Sequence, residues 1–218
     1  MKIGIISDTH NLLRPEVIRA LEGCEAILHG GDINRQEILD RLEDIAPVHA
    51  VRGNNDKEWA EHIPLFLDFE LAGLRIYMTH RKKDLPQDIS GYDLVVFGHS
   101  HKYEGSMKGK TLLLNPGSCG PRRFNQAITM AVAKTDGRSV EVTRIDIPQK
   151  TTVKLSGSGS ADLKKQIEVV IKETQKNRSP EAIADRYGYD KDLTEQIARL
   201  YLTHPGVTAD GIMTKMGY

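Results

Sequence analysis

The chain has 218 residues, 39 % hydrophobic and 28 % charged, with 30 basic and 30 acidic side chains and so no formal net charge. This describes an ordinary globular protein, one domain of ~150 residues plus a smaller piece, with no general attraction to nucleic acid. No run approaches the ~18 apolar residues of a membrane helix, MKIGIISDTH lacks the regions of a signal peptide, and Cys24 and Cys119 have no CxxC partner, so a cytoplasmic protein with reduced thiols is expected.

In chain order, short apolar runs of buried-strand type stand at Lys2 to Ser7, Ala26 to His29, Val48 to Val51, Leu74 to Thr79 and Leu94 to Phe97. Helical patterns separate the first three: Arg14 to Leu21, with Pro15 near its start, and Arg35 to Leu42. This is a βαβαβ beginning. Two hairpin signals follow, MKGK around Gly109 and KTDGRS around Gly137, so an antiparallel section succeeds the parallel one. The spacing predicts an α/β sandwich of two sheets with outer helices, whose strand ends line a crevice.

LSGSGS at 155 to 160 reads as a flexible linker, natural or introduced, and divides a domain over 1 to 154 from a small helical domain over 161 to 218. In the tail, SPEAIADRYGY at 179 to 189 recurs without a gap as TADGIMTKMGY at 208 to 218. Each copy has an N-cap hydroxyl, an early acid and a Gly to stop the helix. A helical pattern over Asp192 to Leu202, with Leu193, Ile197 and Leu200 on one face, lies between them. IAxxxGY is similar to the first helix and turn of helix-turn-helix modules, but nine basic residues against nine acidic ones over 161 to 218 give no basic face. Binding of a nucleic-acid polymer is therefore not expected. A homo-oligomer contact or a protein partner suits these helices better.

A residue of metal-ligand type follows each apolar run: Asp8 and His10, Asp32, Asn54, His80, and His99 with His101. Strands emptying onto one edge would gather these carboxylates, imidazoles and an amide oxygen from five loops. Two ions with ~4 protein ligands each need eight contacts, which seven residues supply if one carboxylate bridges, and Asp32 is the choice for that bridge. His49, His62 and His204 read as packing or surface residues, His29 either as a packing residue or as a support for the ligands, and Trp59 as core. Asp56 reads either as a cap for the helix after GNND or as a catalytic carboxylate.

DTH at 8 to 10, GGD at 30 to 32, GNND at 53 to 56, TH at 79 to 80 and GHSH at 98 to 101, followed by NPGS at 115 to 118, resemble the ordered motifs of the calcineurin-like metallophosphoesterases. NPGS is typical of their small prokaryotic phosphodiesterase branch. The resemblance covers roughly the first two thirds of the chain and implies a four-layer αββα sandwich. It also implies that Asp8, His10 and His101 hold one metal, that Asn54, His80 and His99 hold the other, and that Asp32 bridges. Where most members read GNHD, with a histidine presumed to protonate the leaving group, this chain has Asn55, which delivers no proton near neutral pH. Arg81 and Lys82 follow His80 and are expected to bring positive charge to the mouth of the site.

The expected activity is hydrolysis of small or nucleotide-like phosphodiesters, with hydroxide held between two divalent ions as nucleophile and Arg122 or Arg123 on a non-bridging oxygen. Manganese is the first choice, and nickel, iron, cobalt and zinc also suit oxygen and imidazole donors. The rival expectation is a non-catalytic scaffold of the same fold, which has no chemical need for a complete ligand set.

Overall fold

The computed structural model describes residues 1–122, 126–148, 160–204 and 206–216, so residues 155–159 of the expected linker lie outside the described part. The described chain falls into two compact units.

In the first unit, β1 (Lys2–Ile6), α1 (Pro15–Leu21), β2 (Ala26–His29), α2 (Gln36–Glu43) and β3 (Val48–Ala50) form the expected βαβαβ series. Pro15 opens α1, where its missing N–H costs no hydrogen bond. Next come β4 (Phe66–Leu71), β5 (Leu74–Thr79), β6 (Leu94–Val96), β7 (Tyr103–Lys108), β8 (Thr111–Pro116), β9 (Thr129–Thr135) and β10 (Val140–Asp146). They build two five-stranded sheets, ordered β10-β9-β1-β2-β3 and β4-β5-β6-β8-β7. Parallel pairing runs through β1, β2 and β3 in one sheet and through β5, β6 and β8 in the other. Both expected hairpins are present, β7 with β8 and β9 with β10. The strand β4, paired antiparallel with β5, is an addition to the sequence reading.

Alternation along the strands sorts the apolar residues into layers. Ile3, Ile5, Ala26 and Leu28 of one sheet meet Ile76, Met78, Leu94 and Leu114 of the other in the central core. Ile6 and Ile27 face the opposite way, under Val17 and Leu21 of α1 and Ile38 and Leu42 of α2. On the outer face of the second sheet, Tyr77, Val95, Phe97 and Leu113 are covered by Leu85, Ile89 and Tyr92. That outer layer is an irregular segment with a 3-10 turn at Lys82–Asp84, much thinner than the α1 and α2 layer.

The second unit contains α3 (Ser160–Gln175), α4 (Pro180–Tyr187), α5 (Lys191–Thr203) and α6 (Ala209–Met216), packed around Ile167, Val170, Ile183, Ile197 and Ile212. Ser160, the last residue of the expected linker, already belongs to α3. Both copies of the repeat are helices opened by a hydroxyl: Ser179 accepts from Ala182 N, and Thr208 accepts from Gly211 N. Gly188 ends α4 in the left-handed conformation; its counterpart Gly217 lies outside the described residues.

Candidate metal centre

The ligand-type residues stand just past the carboxyl ends of parallel strands: Asp8 and His10 after β1, Asp32 after β2, Asn54 after β3, His80 after β5, and His99 and His101 after β6. Their functional atoms converge. His101 Nε2 lies 3.2 Å from Asp8 Oδ1 and 3.2 Å from His10 Nε2. His80 Nε2 lies 3.2 Å from Asn54 Oδ1, and its ring meets that of His99 edge-on at 5.2 Å between centroids. Asp32 stands between the two groups, with Oδ2 3.7 Å from His10 Nε2 and Oδ1 3.4 Å from His80 Nε2. Donor atoms of Asp8, His10 and His101, and likewise those of Asp8, Asp32 and His80, lie within 4.8 Å of one another. Asp8 and Asp32 thus each have an oxygen within 4.8 Å of an imidazole nitrogen in both halves of the cluster.

The backbone supporting these side chains is strained. Asp8, His10, Asp32, His99 and His101 all have left-handed φ values, between 43° and 71°. Each such residue costs of order 1–3 kcal/mol, which the surrounding hydrogen bonds must offset. Ser7 Oγ and His99 N both donate to Asp8 Oδ2, at 2.6 and 3.0 Å, which turns Oδ1 to the cluster. A Cβ on Gly98 would overlap Ser7 Oγ, and one on Gly53 would overlap the Asp32 backbone and carboxylate, so both close approaches require glycine.

A match to the family model described as the calcineurin-like phosphoesterase superfamily domain spans residues 1–138. The chain belongs to this superfamily. Its members hydrolyse phosphoesters, and their chemistry is metal-dependent. A probable metallophosphoesterase of Methanothermobacter thermautotrophicus is 34 % identical over 155 residues, 65 % of this chain and 90 % of that protein. The solved structure of an archaeal phosphodiesterase superposes with a TM-score of 0.56 at 28 % identity, covering 66 % of this chain and all of that one. The Vps29 structure of Chaetomium thermophilum gives a TM-score of 0.56 at 19 % identity over 68 % of this chain and all of that one, a likeness of fold alone.

The donor set of this phosphoesterase domain fits a divalent cation. Asp8 Oδ1 is buried and makes no well-formed hydrogen bond, with His101 Nε2 its neighbour at 3.2 Å, although a carboxylate oxygen removed from water needs a compensating charge or donor. His80 Nδ1 donates to Gly30 O at 2.7 Å, which fixes the tautomer and turns the Nε2 lone pair toward Asn54 and Asp32. Burial would raise both carboxyls, yet the His101 imidazole beside Asp8 and the His80 imidazole beside Asp32 outweigh it, so both are held below the usual range. Burial would likewise lower His80, but the Asp32 carboxylate holds it above its ordinary value. His99 is lowered by burial and by the charge of His80. Two carboxylates held anionic beside imidazole nitrogens form a donor set that a divalent cation would neutralise, taking the place of protons on the rings.

The readings of Asp56, Arg81 and Lys82 need revision. Asp56 is neither a helix cap nor placed to act as an acid: buried, it accepts from Ile33 N and Asn34 N with Oδ1 and from Gly53 N with Oδ2, at 2.7–2.8 Å. The 3-10 turn after GNND is instead preceded by Lys57 at its cap position. Lys82 is drawn to Glu104 and the Phe97 ring, and Arg81 is paired with Asp84 at 2.7 Å, so the charge expected at the mouth is largely neutralised. Asn55 turns its amide to Asp32, donating from Nδ2 to Oδ2 at 2.6 Å and from its backbone N to Oδ1 at 2.8 Å. Arg122 is exposed and falls in the second compact unit, and Arg123 lies outside the described residues. His62 and His204 are exposed, His49 stacks on Phe69, and Trp59 packs against the helix-side core.

Supporting residues complete the site. His29 is fully buried, accepts from Gly31 N at Nδ1 and meets Thr9 Oγ1 at 3.1 Å, and burial pushes it down to about 4. Asn115 of NPGS donates to Gly98 O and Ser100 Oγ in the GHSH loop, while Ser118 Oγ donates to Asp8 O. NPGS therefore buttresses both the Asp8 and the His99–His101 loops. Polar residues inside a strand-to-turn segment were the available signal for that role.

Proposed function

We propose that the chain is a phosphodiesterase acting on small or nucleotide-like diesters at a centre of two divalent cations, manganese first among them. In this assignment Asp8, His10 and His101 would hold one ion, Asn54, His80 and His99 would hold the other, and Asp32 would serve both as the bridging carboxylate. The observation that carries it is the stance of Asp32, whose two oxygens face the imidazoles of different halves of the cluster. Bound, the ions would supply Lewis acidity and neutralise charge on the phosphoryl oxygens.

The remaining work belongs to the protein. Asn55 holds the Asp32 carboxylate from two sides, and the Gly30 carbonyl holds His80 in its ligating tautomer. His29 and Thr9 brace the turns after β2 and β1 without reaching solvent. Asn55 supplies no proton to a leaving group, which favours diesters and esters with good leaving groups over alkyl monoesters. A scaffold of the same fold would have no use for a complete donor set set on strained backbone. Helices α3 to α6 we assign to contact with a protein partner or a second copy, and the chain to the cytoplasm, in keeping with two free buried thiols.

The test is a panel of aryl and alkyl diesters and monoesters offered to manganese-loaded protein. Turnover of aryl diesters above alkyl monoesters is expected. Absence of turnover on every ester, with metal bound, would leave the scaffold reading standing.

A further inference from the structure

A groove of ≈ 690 Å³ opens beside the cluster, with Asn54 and His80 in its wall, a size in the range of small-ligand sites. Three features of its lining bear on what it holds. First, Leu65 and Phe66 are 60 % and 57 % exposed, two adjacent large apolar side chains left in water at the mouth of a site. The Phe66 ring lies nearly parallel to that of Tyr77, at 5.8 Å and 14°, so one face is backed and the other is open. Second, Arg52 is half-buried, and its guanidinium makes no hydrogen bond or ion pair among the described residues. Third, four carboxylates line the groove against three cations, Arg52, Lys57 and Arg81, which leaves no surplus of positive charge for a polyanion.

These residues are also rigidly tied to the cluster. Phe66 pairs with Thr79, the residue before His80, and Thr79 Oγ1 donates to Leu65 O at 3.4 Å. Arg52 N donates to Pro64 O at 2.8 Å, and Arg52 stands two residues before Asn54. Stacking surface and guanidinium are thus each anchored on the strand end that carries a ligand-type residue, the arrangement a positioned subsite needs.

We infer that this groove seats a planar aromatic ester group of the substrate, a nucleobase or aryl ring, stacked on the open face of Phe66, while Arg52 takes an oxygen of the attached phosphoryl group. The inference rests on the phosphodiesterase reading and narrows its substrate class. Stacking on an aromatic side chain tolerates any base, because every base has a π-face. The guanidinium fork suits a phosphoryl oxygen better than a point charge would.

The experiment measures, by calorimetry, the affinities of adenosine 5′-monophosphate and ribose 5-phosphate for manganese-loaded full-length protein. The two probes carry the same phosphate and differ in the base. Wild type should bind the nucleotide about tenfold more tightly. Phe66→Leu, which keeps an apolar side chain without a π-face, and Phe66→Ala should bring the two affinities together while leaving that for ribose 5-phosphate unchanged. Arg52→Ala should weaken both probes. Hydrolysis of bis(4-nitrophenyl) phosphate by the same preparations separates the two levels of the claim. Turnover with equal affinities in wild type, or with a base preference that survives both Phe66 variants, would overturn the groove assignment alone. Neither turnover nor phosphate binding would overturn it together with the phosphodiesterase reading.

Discussion

Asp56 is the residue whose removal should most damage the centre without touching a ligand. It is 6 % exposed, and its carboxylate accepts three backbone N–H groups: Ile33 and Asn34, which follow Asp32, and Gly53, which precedes Asn54. A hydrogen bond to a charged group contributes about 1.5–3 kcal/mol, and a buried donor left without a partner costs about 1–3 kcal/mol. Asp56→Ala strips three donors at once, and with some relief from entering water it should lower the stability of the metal-free protein by about 4 kcal/mol. Asp56→Asn keeps one acceptor oxygen but turns an amide toward the third donor, and about half that loss is expected. Because both tethered loops carry proposed ligands, metal affinity should also fall about 10- to 100-fold in Asp56→Ala. Urea unfolding followed by the fluorescence of Trp59, packed on the helix-side core, measures the first quantity, and calorimetric manganese titration the second. An Asp56→Ala protein within about 1 kcal/mol of wild type, with unchanged metal affinity, would refute the reasoning, since three charge-assisted bonds cannot vanish at so small a cost.

Other outcomes follow from the same geometry. His29 is held at about 4 against an ordinary 6.5, so between those values the unfolded chain takes up a proton that the folded one refuses. His29 should therefore lower metal-free stability by up to about 3 kcal/mol as pH drops through that window, with His49 and His99, also lowered by burial, adding losses of the same sign; His29→Gln should remove only its own share in unfolding curves at pH 6.5 and 4.5. Three other shifts act outside that window: Asp8 and Asp32, depressed from 3.8, contribute stability lost only on further acidification, and His80, raised from 6.5, contributes stability lost only as pH climbs above it. For substituted phenyl diesters, kcat/KM plotted against leaving-group pKa should fall steeply in wild type and less steeply in Asn55→His; a flat wild-type plot with chemistry rate-limiting would mean that another group already delivers the proton. Asn55→Ala should weaken metal binding about tenfold by freeing Asp32 Oδ2, and unchanged affinity would show that the amide contact does not position the carboxylate.

The strand ends were legible because a short apolar run that stops at Asp, His or Asn leaves little else for the polar residue to do, and five such stops in order point to one edge. The same periodicity marked α1, α2 and both hairpins. The strand β4 escaped because Phe66–Leu71 alternates apolar with acidic residues at the edge of its sheet, with no buried run to announce it. Asp56 was misread because a carboxylate after GNN looks the same in sequence whether it caps the next turn or reaches back to Ile33 and Asn34, more than twenty residues earlier in the chain. The missing proton of Asn55 is legible in the residue type, whereas its contact with Asp32, 23 residues away in the chain, is set by the fold. Ion pairs likewise rewrote Arg81 and Lys82, whose partners Asp84 and Glu104 are set by the fold. Local pattern gave the ligand types, and long-range hydrogen bonding gave the supports.

The most direct test of the account is the metal content of the protein. Chelator-stripped protein, reloaded with manganese and freed of excess, should bind two ions per chain by elemental analysis, and turnover of an aryl phosphodiester should appear only as the second site fills. Asp32→Ala, which removes the proposed bridge between His10 and His80, should lose both ions. One ion or fewer per chain at saturating manganese, or full occupancy in Asp32→Ala, would contradict the binuclear centre.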